Sequence, residues 1–180
     1  MDSDGFDPTK VTVSRAKLDD AAGIAAVHVA VWRNAYAGIL PDNSLARLSV
    51  PAITAAYERH VWSGRGLLVA RTASRVIGFA SMSCSLPDAP AEGEVETLYV
   101  LDDWREQGIG RMLLAAAAAD LQSDGCRSLF LWVLADNPSR WFYEHVGGRA
   151  TLRSTTRVGG VYVPKIAMVW DPIDSLVRRL

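Results

Sequence analysis

One stretch of the sequence, from Glu94 to Leu134, constrains the fold more than any other. It reads as a strand, a turn with two glycines, a helix rich in alanine and leucine, and a second strand. The second strand, Leu129–Leu134, is apolar throughout, which is typical of a strand covered on both faces. The helix is predicted over residues 111–123 and ends at Gly125, a residue that accepts left-handed backbone angles. Because crossover connections of this kind are right-handed, we expect the two strands to pair in parallel at the centre of a sheet.

The rest of the chain supplies helices before this unit and antiparallel strands on both sides of it. A first strand is predicted near Val11, and helical spacing of apolar residues follows over residues 24–32 and 53–61. Apolar runs flank the polar turn 72–75 and predict a hairpin, and Gly159-Gly160 predicts a second one. The order β, α, α, β, β, β, α, β, α, β, β predicts an α/β (α+β) protein with one mixed, mostly antiparallel sheet of about seven strands and helices on both faces.

The composition fits one globular domain. The 180 residues are 49% hydrophobic and 22% charged, which is enough to bury one core and to keep a charged surface. Residues 1–10 contain three Asp and one Pro but no periodic apolar pattern, so they are predicted to form a disordered N-terminal tail. Residues 11–180 are then predicted to form a single domain.

Charge, apolar runs and cysteines argue against several classes of protein. The formal net charge is −1, whereas nucleic-acid binders need clustered basic residues to contact phosphates. The longest apolar run, residues 112–119, is far shorter than the ~18 residues that span a bilayer, and no secretion signal is visible. We therefore expect a cytoplasmic protein with no membrane attachment. Cys84 and Cys126 are expected to be reduced thiols, and the histidines lack the spacing of metal ligands, so no metal is predicted.

The glycine turn before the central helix has the properties of an anion site. Gly108 and Gly110 allow the turn to expose successive backbone N–H groups at the positive end of the helix dipole, where a pyrophosphate would fit. Arg105 and Arg111 flank the turn and can add charged hydrogen bonds to phosphate. A dinucleotide fingerprint would need a third glycine at Leu113, and the Gly-Lys-Ser/Thr of a P-loop is absent. The alternative is that the glycines only permit a tight strand-to-helix turn that has no ligand.

Two motifs in order resemble those of a known family. The segment from Glu94 through Arg105, Gly108 and Gly110 resembles the acetyl-coenzyme A motif of the GNAT superfamily of N-acyltransferases, with its loop pattern Gln/Arg-x-x-Gly-x-Gly/Ala. Downstream, residues 137–148 are similar to the Asn, Phe-Tyr-Glu and Gly pattern of a later family helix, and residues 32–41 are more loosely similar to the first helix and loop. The resemblance covers most of residues 11–171. Glu106 departs from it, because that position is often Gly, Arg or Lys.

The resemblance implies a fold and a set of residues that hold the acyl donor. It implies that the central parallel strand pair splays apart at the cofactor site, and that a backbone N–H in residues 98–100 stabilises the developing oxyanion. The implied donor is acetyl-coenzyme A (acetyl-CoA). The residues predicted to bind it are Leu98, Tyr99, Val100, Arg105, Glu106, Gln107, Gly108, Ile109, Gly110, Arg111 and Asn137, although capping of its helix also explains Asn137.

Acetyl transfer to an amine requires a base and an acid. An alkylamine with a pKa near ~10.4 is protonated at neutral pH, so something must remove its proton. The resemblance implies that Glu94 does so, and Glu96, two residues on, is predicted to project from the same face of the strand. Both are also compatible with exposed carboxylates that have no catalytic role. Tyr143 is implied as the acid that protonates the leaving thiolate, and core packing of its ring is the alternative.

The same resemblance implies an acceptor pocket walled by Trp32, Tyr36, Ile39, Trp62 and the last hairpin, although core packing explains each Trp and Tyr equally well. The predicted function is that of an N-acetyltransferase, which moves the acetyl group of acetyl-CoA to a primary amine of a small molecule or peptide by direct attack in a ternary complex. A non-catalytic acyl-CoA-binding or regulatory module is the alternative. The acceptor is not identified, and the edges of the terminal strands offer a surface for a homodimer.

Overall fold

The computed structural model describes residues 10–35, 45, 48–84, 87–158 and 160–179. The strands are β1 (Thr12–Arg15), β2 (Gly66–Arg71), β3 (Val76–Cys84), β4 (Gly93–Val100), β5 (Leu129–Leu134), β6 (Arg149–Val158) and β7 (Val161–Trp170). The helices are α1 (Ala21–Ala35), α2 (Val50–Trp62), α3 (Ile109–Ser123), α4 (Ser139–His145) and α5 (Asp174–Val177). The predicted tail, apart from Lys10, lies outside the described residues, as do Tyr36, Ile39 and Gly159.

The strands form one seven-stranded sheet in the order β1-β2-β3-β4-β5-β7-β6. The central pair, β4 and β5, is parallel, and every other neighbouring pair is antiparallel. The predicted mixed, mostly antiparallel sheet is therefore confirmed. The parallel pair arises because α3 carries the chain back across the sheet between β4 and β5.

The two central strands separate soon after they meet. In these fully described strands, the parallel register joins Gly93 to Leu129 and Glu94 to Phe130 and continues no further. Beyond Glu94, β4 stays paired with β3, while β5 stays paired along its whole length with β7. The expected splay is thus confirmed, and it leaves a gap whose sides are β4 and β5.

Helices cover the two faces of the sheet unequally. On one face, α3 packs its small and branched side chains, among them Leu113, Ala117 and Leu121, against the strands, and all three are almost fully buried. On the other face, α1 and α2 cover the β2 and β3 side, where Val69 and Phe79 are fully buried. The half of this face formed by β5 and β7 carries a separate small cluster around Phe130, against which part of the loop before β4 packs.

A β-bulge in β4 changes the alternation of its side chains. Ser81 pairs with Thr97 and Met82 pairs with Val95, so Glu96 is an extra residue on β4. Val95 and Leu98 both face the α3 side as a result, although they are three residues apart. Sequence alternation does not reveal this bulge, because only the pairing with β3 defines it.

Element bounds differ from the predicted ones mainly at helix ends. Helix α3 begins at Ile109, two residues before the predicted start, because Gly108 with its positive φ of 80° is the N-cap. Helix α5 was not predicted, since four residues are too few for a helical pattern; Leu176 from it is fully buried. Of the helices in the described ranges, none combines the length and the apolar character needed to cross a membrane.

Candidate functional site

The glycine turn leaves its backbone amides open. Gly108 lies in the left-handed region, and its carbonyl accepts the first α3 hydrogen bond, from the N–H of Met112 at 2.9 Å. The preceding N–H groups, of Ile109, Gly110 and Arg111, belong to the first helical turn and have no acceptor within the helix. A Cβ atom added at Gly108 or Gly110 would meet no heavy atom within 4 Å. The turn therefore presents unobstructed donors at the positive end of the α3 dipole.

Short polar contacts hold the turn in shape. The Nε atom of Arg105 lies 2.8 Å from Oδ1 of Asp102, and the side-chain amide of Gln107 donates to the carbonyl of Asp103 at 2.9 Å. Arg111 donates through Nη2 to the carbonyl of Arg179. Glu106, which departs from the family pattern, has a φ of 60° and an exposed side chain, so solvent screens its charge. These contacts order the loop without covering the amides.

The gap between β4 and β5 exposes two backbone amides of β4. Leu101 donates its N–H to the carbonyl of Ile77 at 2.9 Å, so its amide points toward β3. Because N–H groups alternate in direction along a strand, those of Leu98 and Val100 point away from β3, into the gap. The N–H of Tyr99 faces β3, and its ring lies with Phe79 on the α1 side.

Glu94 stands where the two strands begin to separate. Its side chain is half-buried, and no hydrogen bond or ion pair joins it to another described residue. Burial raises the pKa of its carboxyl above the ordinary value, and the like charge of Glu96 adds to that shift. The positive charge of Lys165 acts in the opposite direction. Glu94 therefore holds a proton more readily than an exposed carboxylate does.

Glu96 has a different environment from Glu94. Its Oε1 atom lies 2.8 Å from Nη2 of Arg65 and accepts a hydrogen bond from Ser83 at 2.9 Å, and Oε2 accepts one from Ser81 at 3.4 Å. Ser83 pairs directly with Glu94 across the strands, so both carboxylates face the same side of the sheet. The contacts of Glu96 tie the bulge of β4 to β3 and to Arg65.

Tyr143 lies on α4 and is 7% exposed. Its ring packs against Trp170, with centroids 6.3 Å apart and planes at 82°, and against Phe142. Burial raises the pKa of its phenol, and the nearby phenol of Tyr99 adds to the shift. No hydrogen bond joins its hydroxyl to another residue in the described part of the chain. The phenol of Tyr143 is therefore protonated and neutral at physiological pH, and its hydroxyl can act as a hydrogen-bond donor.

Asn137 precedes this helix and caps it. Its Oδ1 atom accepts a hydrogen bond from the N–H of Ser139 at 2.9 Å, which satisfies one of the open amides of α4. The predicted capping role is therefore present in the structure. The carbonyl of Tyr143 in turn accepts a hydrogen bond from the N–H of Gly148 at 2.8 Å, where the helix ends.

Aromatic side chains form a cluster on the α1 side of β4. Trp32 donates its indole N–H to the hydroxyl of Tyr99 at 3.1 Å, and His28 is hydrogen-bonded through Nδ1 to the hydroxyl of Tyr57 at 2.8 Å. The His28 ring contacts the rings of Trp32 and Tyr99, with centroids 5.4 Å and 5.6 Å apart. Burial lowers the pKa of His28, so its ring is neutral at pH 7.

Sequence reasoning missed part of this cluster and included one residue that lies outside it. His28 precedes Trp32 by one helical turn, a spacing that does place two side chains on one face, but nothing local pairs either with Tyr57 or Tyr99. Trp62, expected near the acceptor, is 78% exposed at the end of α2. The predicted wall residue Tyr36 lies outside the described residues.

A cavity of about 560 Å³ lies apart from these residues. It is lined by the start of α1, by the β2–β3 turn and by Leu101, and it contains neither Glu94 nor Tyr143. Its size does not make it the reactive site, since the groups with shifted pKa values lie elsewhere. Among the described residues, no group of three or more His, Cys, Asp or Glu side chains is arranged to hold a metal ion.

Comparison with known proteins places these features in a family. Residues 32–147 match the family described as the acetyltransferase (GNAT) family. The chain is 33% identical over 172 residues to YuaI of Bacillus subtilis, an uncharacterized N-acetyltransferase, with 94% of this chain and 98% of that protein covered.

Solved structures share the fold at lower identity. The structure of yncA from Salmonella typhimurium with its cofactor acetyl-CoA has a TM-score of 0.66 at 21% identity over 90% of this chain and 94% of its own. The PaiA N-acetyltransferase of Thermoplasma acidophilum, solved with coenzyme A, has a TM-score of 0.65 at 19% identity over 86% of this chain and 97% of its own. The family match over residues 32–147 and the likeness to YuaI together show that this chain belongs to the GNAT family of acetyltransferases.

Proposed function

We propose that this protein transfers the acetyl group of acetyl-CoA to a primary amine, with both substrates bound together. The observation that carries the proposal is the open amide turn at residues 108–111, at the end of the α3 helix that joins the two splayed strands. A Cβ atom at Gly108 or Gly110 would enter the free space where a phosphate would lie, so the turn fits the diphosphate of coenzyme A. The structures of yncA with acetyl-CoA and of PaiA with coenzyme A support this choice of donor.

The donor would be held by backbone amides and by the side chain of Arg105. In this proposal the amides of Ile109, Gly110 and Arg111 bind phosphate oxygens, and Arg105 adds charge after exchanging its contact with Asp102 for phosphate. The remaining predicted contacts are those of Leu98, Tyr99, Val100, Glu106, Gln107, Gly108 and Asn137. Acetyl-CoA supplies an acyl group activated as a thioester. The N–H groups of Leu98 and Val100 point into the gap, where a developing oxyanion would need donors.

Glu94 is the better candidate for the base. A base must accept a proton near the working pH, and burial raises the pKa of Glu94 in that direction. Glu96 already has a cation partner in Arg65 and a hydrogen bond from Ser83, so its lone pairs are committed. We therefore assign to Glu94 the removal of the amine proton. In this proposal Glu96 stabilises the β-bulge through its contacts, and its negative charge contributes to the raised pKa of Glu94.

Tyr143 is proposed as the acid. Because its phenol stays protonated at neutral pH, it can donate to the sulfur that leaves with the C–S electron pair. Trp32 and Tyr36 are proposed to line the acceptor side. The hydrogen bond from Trp32 to Tyr99 supports that position for Trp32, since it holds the indole beside β4.

Calorimetry with acetyl-CoA, followed by a thiol-release assay over amines, tests this function. The wild-type protein is expected to bind acetyl-CoA and to release thiol with at least one amine. A Gly110→Val variant should stay folded, because a Cβ atom added there meets no heavy atom within 4 Å, and should lose binding. Binding without turnover on any amine would favour the non-catalytic module instead, and equal binding by wild type and Gly110→Val would refute the turn as the donor site.

A further inference from the structure

Strands β4, β5 and β7 carry one positive charge on the sheet face that Glu94 shares. Glu94 pairs with Phe130 in register, and Trp132 and Leu134 follow on the same face of β5, since side chains alternate. Leu134 pairs with Lys165 on β7, which places Lys165 on this face as well. On β4, β5 and β7, the charged side chains of this face are those of Glu94, Glu96 and Lys165. We call this surface, from Glu94 over Trp132 to Lys165, the acceptor face.

Lys165 is held in place, and no carboxylate of the described residues forms an ion pair with it. Its Nζ atom lies 4.0 Å from the centroid of the Trp132 ring, a cation–π contact that fixes the ammonium over β5. The residue is half-buried. No carboxylate of a described residue lies within 4.0 Å of Nζ of Lys165. In contrast, six other cations of the described residues each have a carboxylate within that distance. A partly desolvated cation without an anion is favourable for binding one.

The acceptor face has an unpaired negative charge at one end and an unpaired positive charge at the other. Glu96 is paired with Arg65, so among the described residues of β4, β5 and β7 the unpaired charges on this face are the negative one of Glu94, beside the gap, and the positive one of Lys165, beyond Trp132. The two charges influence each other, as the effect of Lys165 on Glu94 indicates. A polyamine would meet repulsion from Lys165, and an uncharged amine would leave Lys165 unpaired. A molecule with one ammonium and one carboxylate matches both.

Building on the proposed acetyl transfer, we propose that the acceptor is a free amino acid, with its amino group at Glu94 and its carboxylate at Lys165. Glu94 takes a proton from the ammonium, and the nitrogen lone pair forms a C–N bond with the thioester carbonyl carbon. The C–S bond breaks, its electron pair leaves with sulfur, and Tyr143 supplies the proton that makes the free thiol. The nitrogen gives up its second proton as the neutral amide forms, and this proton restores the phenol of Tyr143, while Glu94 releases its proton to solvent. The products are an N-acetyl amino acid and coenzyme A.

A matched pair of acceptors isolates the carboxylate. Each of the proteinogenic amino acids is assayed by thiol release as the free acid and as its carboxamide, which removes the negative charge at almost constant size. The enzymes are the wild type, Lys165→Met, Lys165→Arg and the control Lys17→Met, whose exposed side chain follows the far edge strand β1. Melting temperatures show whether each variant is folded.

The wild type is expected to use at least one free acid with a higher kcat/KM than its amide. Lys165→Met should lower kcat/KM for that acid by about 10- to 100-fold through KM, the range for a lost charged hydrogen bond, and should leave the amide within about twofold. Lys165→Arg should retain most of the preference, and Lys17→Met all of it. The free acid and its amide differ in the basicity of their amino groups. This difference is the same for every enzyme, so it does not affect the comparison of variants with the wild type.

Two results would overturn the inference while leaving acetyl transfer intact. One is a loss of acid and amide activity to the same extent in folded Lys165→Met, which would assign Lys165 a structural role. The other is thiol release with amides, polyamines or peptides and none faster with any free acid. Failure of the protein to bind acetyl-CoA, or to release thiol with every amine, would instead refute the proposed function itself.

Discussion

The substitutions Glu94→Gln and Glu96→Gln are expected to separate activity from stability: the first should lower activity without lowering stability, and the second should lower stability with little effect on activity. Glu94 has no hydrogen bond or ion pair to a described residue, so glutamine leaves no partner unsatisfied. Burial disfavours its charged form in the native state. Glu94 therefore costs no stability below the pKa of the unfolded carboxyl, where it is protonated, and destabilises the native state as pH rises through the higher folded pKa. Glu94→Gln should therefore unfold at pH 7 at the same or a slightly higher temperature than the wild type.

The activity of Glu94→Gln should fall sharply. A positioned general base contributes about 10²- to 10⁴-fold, so kcat at neutral pH should fall by that order. The wild-type kcat/KM should rise with pH through the raised pKa of Glu94, above the ordinary carboxyl value, and the variant should lack this limb. The difference in activity between the wild type and Glu94→Gln should become smaller toward pH ~10, where the acceptor amine loses its proton unaided.

Glu96→Gln is the matched control. It removes the ion pair with Arg65, whose side chains are 53% and 29% exposed, so the loss of stability should be about 0.2–1 kcal/mol. The pKa of Glu94 should fall when the like charge is removed, which moves the acidic limb of the profile to lower pH. Activity at neutral pH should stay within a few-fold. A larger loss in Glu96→Gln than in Glu94→Gln, in thiol-release rates of folded proteins, would show that this assignment of roles is wrong.

Three further measurements test the structure. Tyr143→Phe should keep its ring packed against Trp170 and bind acetyl-CoA normally while kcat falls about 10²-fold, as judged by calorimetry and steady-state rates; an unchanged kcat removes the acid role. Asp20→Ala should lower the free energy of unfolding by about 1–3 kcal/mol in urea titrations, since Asp20 is 7% exposed and binds Arg71 at 2.7 Å; no loss would mean that this pair adds nothing. Cys84, which is exposed, should react with iodoacetamide long before Cys126, because burial, and then the contact with Cys84, raises the pKa of Cys126 to about 12; equal labelling by mass spectrometry would contradict this.

Local sequence patterns determined much of this protein. The apolar run Leu129–Leu134 is a strand with the bounds that the sequence predicts, β6 and β7 pair as the predicted second hairpin, and the glycine turn begins a helix as expected. These features depend on neighbours a few residues apart: an uninterrupted apolar run, turn residues that allow positive φ, and an N-cap. The parallel pairing followed because α3 returns the chain to the end of the sheet where β4 began, so that β5 runs in the same direction as β4.

The tertiary structure alone decided which groups meet at the candidate site. Glu96 is a bulge residue because of its register against Ser81, and its ion pair with Arg65 spans 31 residues. Glu94 and Lys165 come from strands on either side of β5. The raised pKa of Glu94 depends on how much water the surrounding strands exclude. Sequence periodicity is a property of one segment, whereas register, burial and charge pairing are properties of several segments packed together. For this reason only the folded chain could distinguish the role of Glu94 from that of Glu96.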